Sequence, residues 1–194
     1  MSLFNLGDLT PAKKENASAI RQEQAIEKYV IGKAGKKIDE LFSRPIPGTI
    51  VHFISTGDWS THDLLFFFLK MTGPAEVVFT TWAISEYAIR QLYTFVNSGM
   101  ITKLSGIFDY RNGVRKPAEL QFLQQITTDI KPGKCHAKVT VITNENWGIT
   151  INASANYTRN PRIEAGVISC NKETAAFYRT VILNELNNTS NLAR

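Results

Sequence analysis

The sequence predicts an α/β fold, an α-β-α sandwich around a central mixed β-sheet. Three observations point there. From Thr49 onward, apolar runs of strand length alternate with stretches of helical periodicity. From Lys134 to Ile168 that alternation gives way to three consecutive strand-like runs with short connections, which makes the sheet mixed rather than purely parallel. The chain has 194 residues, 43% of them hydrophobic, enough to bury one core.

Residues 1–18 are polar and mixed and read as a loose arm. Between Ser18 and Phe42, Ile20, Ala25, Ile26, Tyr29, Val30, Ile38, Leu41 and Phe42 recur at roughly helical spacing, interrupted near Gly32 and Gly35. That pattern predicts one broken helix or two short ones, so residues 1–45 are expected to form an N-terminal helical arm. Pro45, Pro47 and Gly48 then lead into a main domain over 46–194.

Thr49–Ser55 reads as a buried strand and Gly57-Asp58-Trp59-Ser60 as a turn. Ser60, with Asp63 three residues on, fits a capping box for a helix over Leu64–Met71 that is apolar on nearly all sides. Glu76–Trp82 is the next strand. Ser85–Asn97 is a helix with Tyr87, Ala88, Leu92 and Phe95 on one face, and Gly99 terminates it. Ile101–Phe108 is a strand, and Pro117–Thr127 a helix that Pro132-Gly133 stops. Three strands follow, over 135–143, 148–156 and 163–169. A last helix from Thr174 to Leu186 turns Phe177, Val181, Ile182 and Leu186 inward.

The three late strands alternate in polarity. Residues two apart on a strand share a face. His136, Lys138 and Thr140 therefore share one face, opposite Cys135, Ala137, Val139 and Val141. Thr150, Asn152, Ser154 and Asn156 alternate likewise with apolar neighbours, and so do Arg162 and Glu164. The turn formers of Asn144–Gly148 predict an antiparallel hairpin. Centred on Asn146, it sets His136 opposite Asn156 and Lys138 opposite Ser154, about 5 Å apart.

The pattern His136-x-Lys138, then Ala153-Ser154-Ala155-Asn156, then Glu164, resembles the catalytic signature of the phospholipase D superfamily. That signature is His-x-Lys-x-x-x-x-Asp followed by Gly-Ser-x-Asn. Thr143 stands at the aspartate position, Ala153 at the first glycine, and the turn is longer than usual. The resemblance implies a phospholipase D/nuclease-like fold for 46–194 and a metal-independent phosphodiesterase without a cofactor. His136 would be the nucleophile, forming a phosphohistidine. Lys138, Ser154 and Asn156 would hold the phosphoryl oxygens, and Glu164 would orient the imidazole through its other nitrogen. Arg162 and Asn152 are candidates for substrate binding.

That chemistry needs a second histidine as acid. His52, inside an apolar strand, is expected in the core, and His62, beside a helix start, at the surface. The resemblance therefore implies a homodimer that joins two copies of His136. Trp147 and Tyr157 are candidate base-stacking residues. A net charge of +5 and a pI near 9.2 favour nucleic acid as the anionic partner. The N-terminus lacks a signal-peptide pattern, and the longest apolar run, Leu64–Leu69, is too short to span a bilayer. Two cysteines form no disulfide framework. A cytoplasmic protein without stable membrane association is expected. Two alternatives stay open: an inactive nucleic-acid-binding module of the same fold, consistent with Thr143, and a phospholipid phosphodiesterase.

Overall fold

A computed structural model describes residues 25–32, 37–57, 59–111, 117–127, 129–159 and 161–188. Among these residues eight strands form one mixed sheet in the order β1-β2-β8-β7-β6-β3-β4-β5. They are β1 Ile26–Ile31, β2 Thr49–Ser55, β3 Ala75–Thr81, β4 Ile101–Asp109, β5 Ile130–Gly133, β6 Val139–Thr143, β7 Gly148–Ala153 and β8 Glu164–Cys170. The helices whose bounds lie within these residues are α1 Ile38–Leu41, α2 Thr61–Thr72, α3 Glu86–Asn97, α4 Pro117–Ile126 and α5 Lys172–Asn187.

The first four helices pack on one face, over a core that includes Phe53, Leu65, Leu69, Phe79, Leu92, Ile142, Ile151 and Tyr157. Helix α5 covers the other face, where Ala175, Ile182 and Leu186 meet Val78, Ile107, Val139 and Val141. This is the expected α-β-α sandwich with a mixed sheet.

The local signals that hold are those with short-range causes. Ser60 caps α2, its backbone N–H donating to Asp63 Oδ2 at 2.9 Å. Ser85 caps α3 by accepting from the Ala88 N–H at 3.3 Å. Gly99, at φ 74°, ends that helix in the left-handed region as expected.

Several expectations are corrected. The helix expected across Ser18–Phe42 is, over Ile26–Ile31, an edge strand paired in parallel with β2, and among the described residues of that span only Ile38–Leu41 is helical. The spacing of Ile26, Tyr29 and Val30 suits either state, and the open edge of β2, which such β-formers satisfy, decides. The loose arm over 1–18 and the break at Gly35 lie outside the described residues, as does Asp58. Pro132-Gly133 does more than stop a helix. It belongs to β5, an edge strand where proline's missing N–H is tolerated. On α5, Phe177 and Val181 are exposed, and Ala175 takes the inner position instead.

The hairpin register also differs. Thr143 pairs with Gly148 and Val139 with Asn152, so the loop Asn144–Trp147 has four residues and no central one. Asn144 fixes that count, its Oδ1 accepting from the N–H groups of Asn146 (2.9 Å) and Trp147 (2.8 Å). Its Nδ2 donates to the carbonyls of Thr72 and Pro74, both at 3.1 Å. A one-residue slip exchanges the faces of a whole strand. Asn152 consequently lies on the α5 side, donating to the Tyr178 hydroxyl at 3.4 Å, while Thr140 points to the opposite core.

Candidate active site

Pairing directions decide where the polar residues gather. Strands β2, β3, β4, β5 and β7 end at one edge of the sheet, and β6 and β8 begin there. That edge therefore carries Trp82 after β3, Asp109 at the end of β4, His136 and Lys138 before β6, Ser154 and Asn156 after β7, and Glu164 at the start of β8. In open α/β sheets this is the side on which ligands bind.

Residues 134–138 are not strand. Because β5 lies beyond β4, the chain must cross back over the ends of β4 and β3 to reach β6. His136 rides on this crossing, exposed, its ring 6.1 Å from that of Trp82. Lys138 donates to the His136 carbonyl at 2.6 Å, and its Nζ lies 3.5 Å from His136 Nδ1. Burial lowers the Lys138 pKa below the ordinary lysine value, against the pull of the Cys135 thiol and the Glu164 carboxylate. The amine thus sits within the field of both the imidazole and the carboxylate.

On the neighbouring chain segment the Lys138 carbonyl accepts from Ala153 N–H at 3.1 Å, so Lys138 faces Ala153 rather than Ser154. Ser154 is past the end of β7 and free of the ladder's alternation. Its hydroxyl donates to Glu164 Oε2 in a short contact and accepts from the Ala165 N–H at 3.0 Å. Glu164 is engaged there, and among the described residues no hydrogen bond joins it to His136. Asn156 uses its carbonyl oxygen to hold the β3–α3 loop, accepting from the N–H groups of Trp82 and Ala83, both at 3.2 Å. Arg162 is exposed. Gly166, next in β8, has no room for a side chain: a Cβ there would meet the Phe53 ring at 2.5 Å.

His136, Lys138, Ser154, Asn156 and Glu164 thus come to one edge, whereas Asn152 is turned away toward α5. The other histidines reverse their expected roles. His62 is fully buried, held by a short contact with the Ser60 hydroxyl and packed among Phe66, Tyr87 and Tyr157. Burial holds its pKa below the ordinary histidine value. His52 is half-buried and stacks on the exposed Tyr29 at 5.3 Å. Of the two candidate stacking aromatics, Tyr157 is wholly buried, its hydroxyl 2.6 Å from Thr140 Oγ1, and Trp147 belongs to the turn at the far edge. Thr143 is at that far edge too, opposite Glu76 and Gly148.

Trp82 borders His136, with Asp109 and Arg111 nearby, and they share no local pattern in the sequence because they come from the ends of two different strands, β3 and β4. Their one sequence signal is position: each stands at the end of an expected parallel strand. Among the described residues no group of three or more His, Cys, Asp or Glu side chains is placed to hold a metal ion, and no helix is long and apolar enough to cross a membrane.

The sequence matches no protein-family model and no curated protein. In three dimensions the chain is similar to Nuc from Salmonella typhimurium, a phospholipase D family member. The TM-score is 0.57 at 12% identity, covering 72% of this chain and 94% of that one. It is also similar to the polyphosphate kinase from Porphyromonas gingivalis. There the TM-score is 0.53 at 18% identity, covering 75% of this chain and 27% of the kinase, so this chain spans little more than a quarter of the kinase's length. At these identities the likeness shows the fold, a mixed-sheet α/β architecture of the phospholipase D/nuclease kind.

Proposed function

We propose that the protein is a metal-independent phosphodiesterase, a nuclease that works through a phosphohistidine intermediate in an active site shared by two copies of the chain. One observation carries this reading. An exposed imidazole, a half-buried amine, a hydroxyl and a carboxylate meet at the ligand-binding edge of a sheet whose fold is similar to that of a phospholipase D family member.

In the first step an imidazole nitrogen of His136 attacks phosphorus, the bond from phosphorus to the leaving oxygen breaks, and that oxygen takes a proton from an imidazolium. In the second, water attacks phosphorus, the phosphorus–nitrogen bond breaks, and the now neutral imidazole takes the water's proton. Lys138 and the Ser154 hydroxyl would stabilise charge on the phosphoryl oxygens. Asn156, its carbonyl committed to the loop, has its amide N–H groups to offer. Glu164 would orient the site through Ser154. The exposed Arg162 is a candidate for a phosphate contact along the strand. Asn152 would reach substrate only if Tyr178 released it.

The chain contains three histidines. With His62 sealed in the core and His52 in the middle of β2, a second copy of His136 is the histidine best suited to donate the proton, which supports a homodimer as the active form. The net charge of +5 favours nucleic acid over a neutral lipid surface as the source of the diester.

The test is phosphodiester cleavage in excess chelator on DNA, RNA, phospholipid vesicles and a small generic diester. Turnover that persists in chelator and vanishes in His136→Ala is expected. Cleavage of vesicles alone would move the assignment to lipids. One observation favours a silent binding module instead: Glu164 bonds Ser154 rather than His136. Nucleic-acid binding without turnover in the wild type would establish that reading.

A further inference from the structure

The site's border holds an arginine fixed more firmly than its exposure requires. Asp109 is 1% exposed, and both its oxygens are taken. Arg111 Nε donates to Oδ1 at 2.6 Å, Nη2 to Oδ2 at 3.0 Å, and the Arg111 backbone N–H to Oδ1 at 3.1 Å. A Cys135 backbone hydrogen bond reaches the same carboxyl. Together with the Arg111 bonds it holds the Asp109 pKa low. Asp109 thus ties the end of β4 to the crossing that carries His136.

The guanidinium itself stays about half exposed. Its carbon lies 5.8 Å from the ring centroids of both Trp82 and Tyr110, and Trp82 is also the ring next to His136. Two aromatic neighbours and a two-point carboxylate grip fix the plane of the fork. The Nη1 amino group and one Nη2 hydrogen are left without a partner among the described residues. A planar fork so held, with donors unpaired among the described residues and its paired carboxylate sealed beneath it, suits an anion with several oxygens.

We propose that Arg111 binds a second phosphate of a nucleic-acid strand, not the phosphate being cleaved, and so sets a preference for polynucleotides over isolated diesters. This rests on the phosphodiesterase reading. Arg111 does not touch the reacting atoms. Arg111 and the imidazole each neighbour the Trp82 ring, at 5.8 and 6.1 Å, with no contact between the two among the described residues, and a substrate with one phosphate at His136 has nothing to offer the guanidinium.

The experiment compares kcat/KM for a single-stranded oligonucleotide and for bis(4-nitrophenyl) phosphate in the wild type, Arg111→Ala and Arg111→Lys. The ratio of the two values should fall about tenfold or more in Arg111→Ala, the weight of one hydrogen bond to a charged group. Most of that loss should appear in KM for the oligonucleotide. Lysine should restore little, since it lacks the fork. An unchanged ratio overturns the proposal, and so does full rescue by lysine. Arg111→Ala strands a buried carboxylate, so the double variant Asp109→Asn/Arg111→Ala is measured beside it and should show the same fall. If the wild type turns over neither substrate, the phosphodiesterase reading fails by itself. The Arg111 proposal is then decided by anisotropy of a labelled oligonucleotide: about tenfold weaker binding in Arg111→Ala supports it, and equal binding, or none by the wild type, overturns it.

Discussion

The hairpin of β6 and β7 has two ends built on opposite rules. At the far end Thr143 and Gly148 close a regular ladder, and Asn144 fixes the loop with four side-chain hydrogen bonds. At the near end the ladder stops. His136 and Lys138 lie on a crossing segment before β6, and Ser154 and Asn156 lie past β7. The far end sets the register. The near end, released from strict alternation, lets a hydroxyl from one nominal face reach a carboxylate on the other. Regularity supplies stability here, and its interruption places the candidate site.

The sharpest way to break this contrast is at the near end. His136→Ala should reduce turnover by about three orders of magnitude or more, with melting temperature unchanged because the ring is exposed. His62→Ala should do the reverse: it should destabilise the fold by about 3 kcal/mol in denaturant titrations while the folded fraction keeps its activity. Next in size, Tyr157→Phe should cost about 1–2 kcal/mol by leaving the Thr140 hydroxyl unpaired, with oligonucleotide affinity unaltered.

Two pH effects separate the regions further. Burial depresses the His62 pKa, so as pH falls the unfolded chain takes up that proton first. The stability it contributes is complete above the unfolded value of 6.5 and is lost as pH drops from there toward the folded value. Chemical denaturation between pH 7 and 5 should show the decline, and His62→Gln should flatten it. Burial also depresses Lys138, so the alkaline limb of the rate profile should begin below the ordinary lysine pKa and move upward in Lys138→Arg. The smallest effect belongs to the far end. Thr143→Asp restores the signature's aspartate but sets it opposite Glu76, so it should destabilise by less than about 1 kcal/mol and change turnover less than about twofold.

Much of this was legible in the sequence, for identifiable reasons. The β2–α2 unit is written in a contiguous apolar strand and a Ser60/Asp63 cap. The gathering of His136, Lys138, Ser154 and Asn156 was expected from strand alternation and a hairpin register, with Glu164 added by a resemblance, and the structure brings those residues to one edge through a different register. What stayed hidden depends on distant partners. Strand β5 is four residues long and contains a proline, so nothing local separates it from a helix stop, and without it the crossing at 134–138 looks like strand. The hairpin register turns on whether the loop count is odd or even, which composition does not determine. Trp82 comes beside His136, and Arg111 beside Trp82, only because the parallel strands that precede them end together.

The most direct test of the central claim is to trap the intermediate. Single-turnover reactions with a labelled phosphodiester in chelator, acid-labile adducts being preserved, should place one phosphoryl group on His136 for every two chains, on a protein that sediments as a dimer. Turnover by a strictly monomeric protein, or an adduct on any residue other than His136, would contradict it.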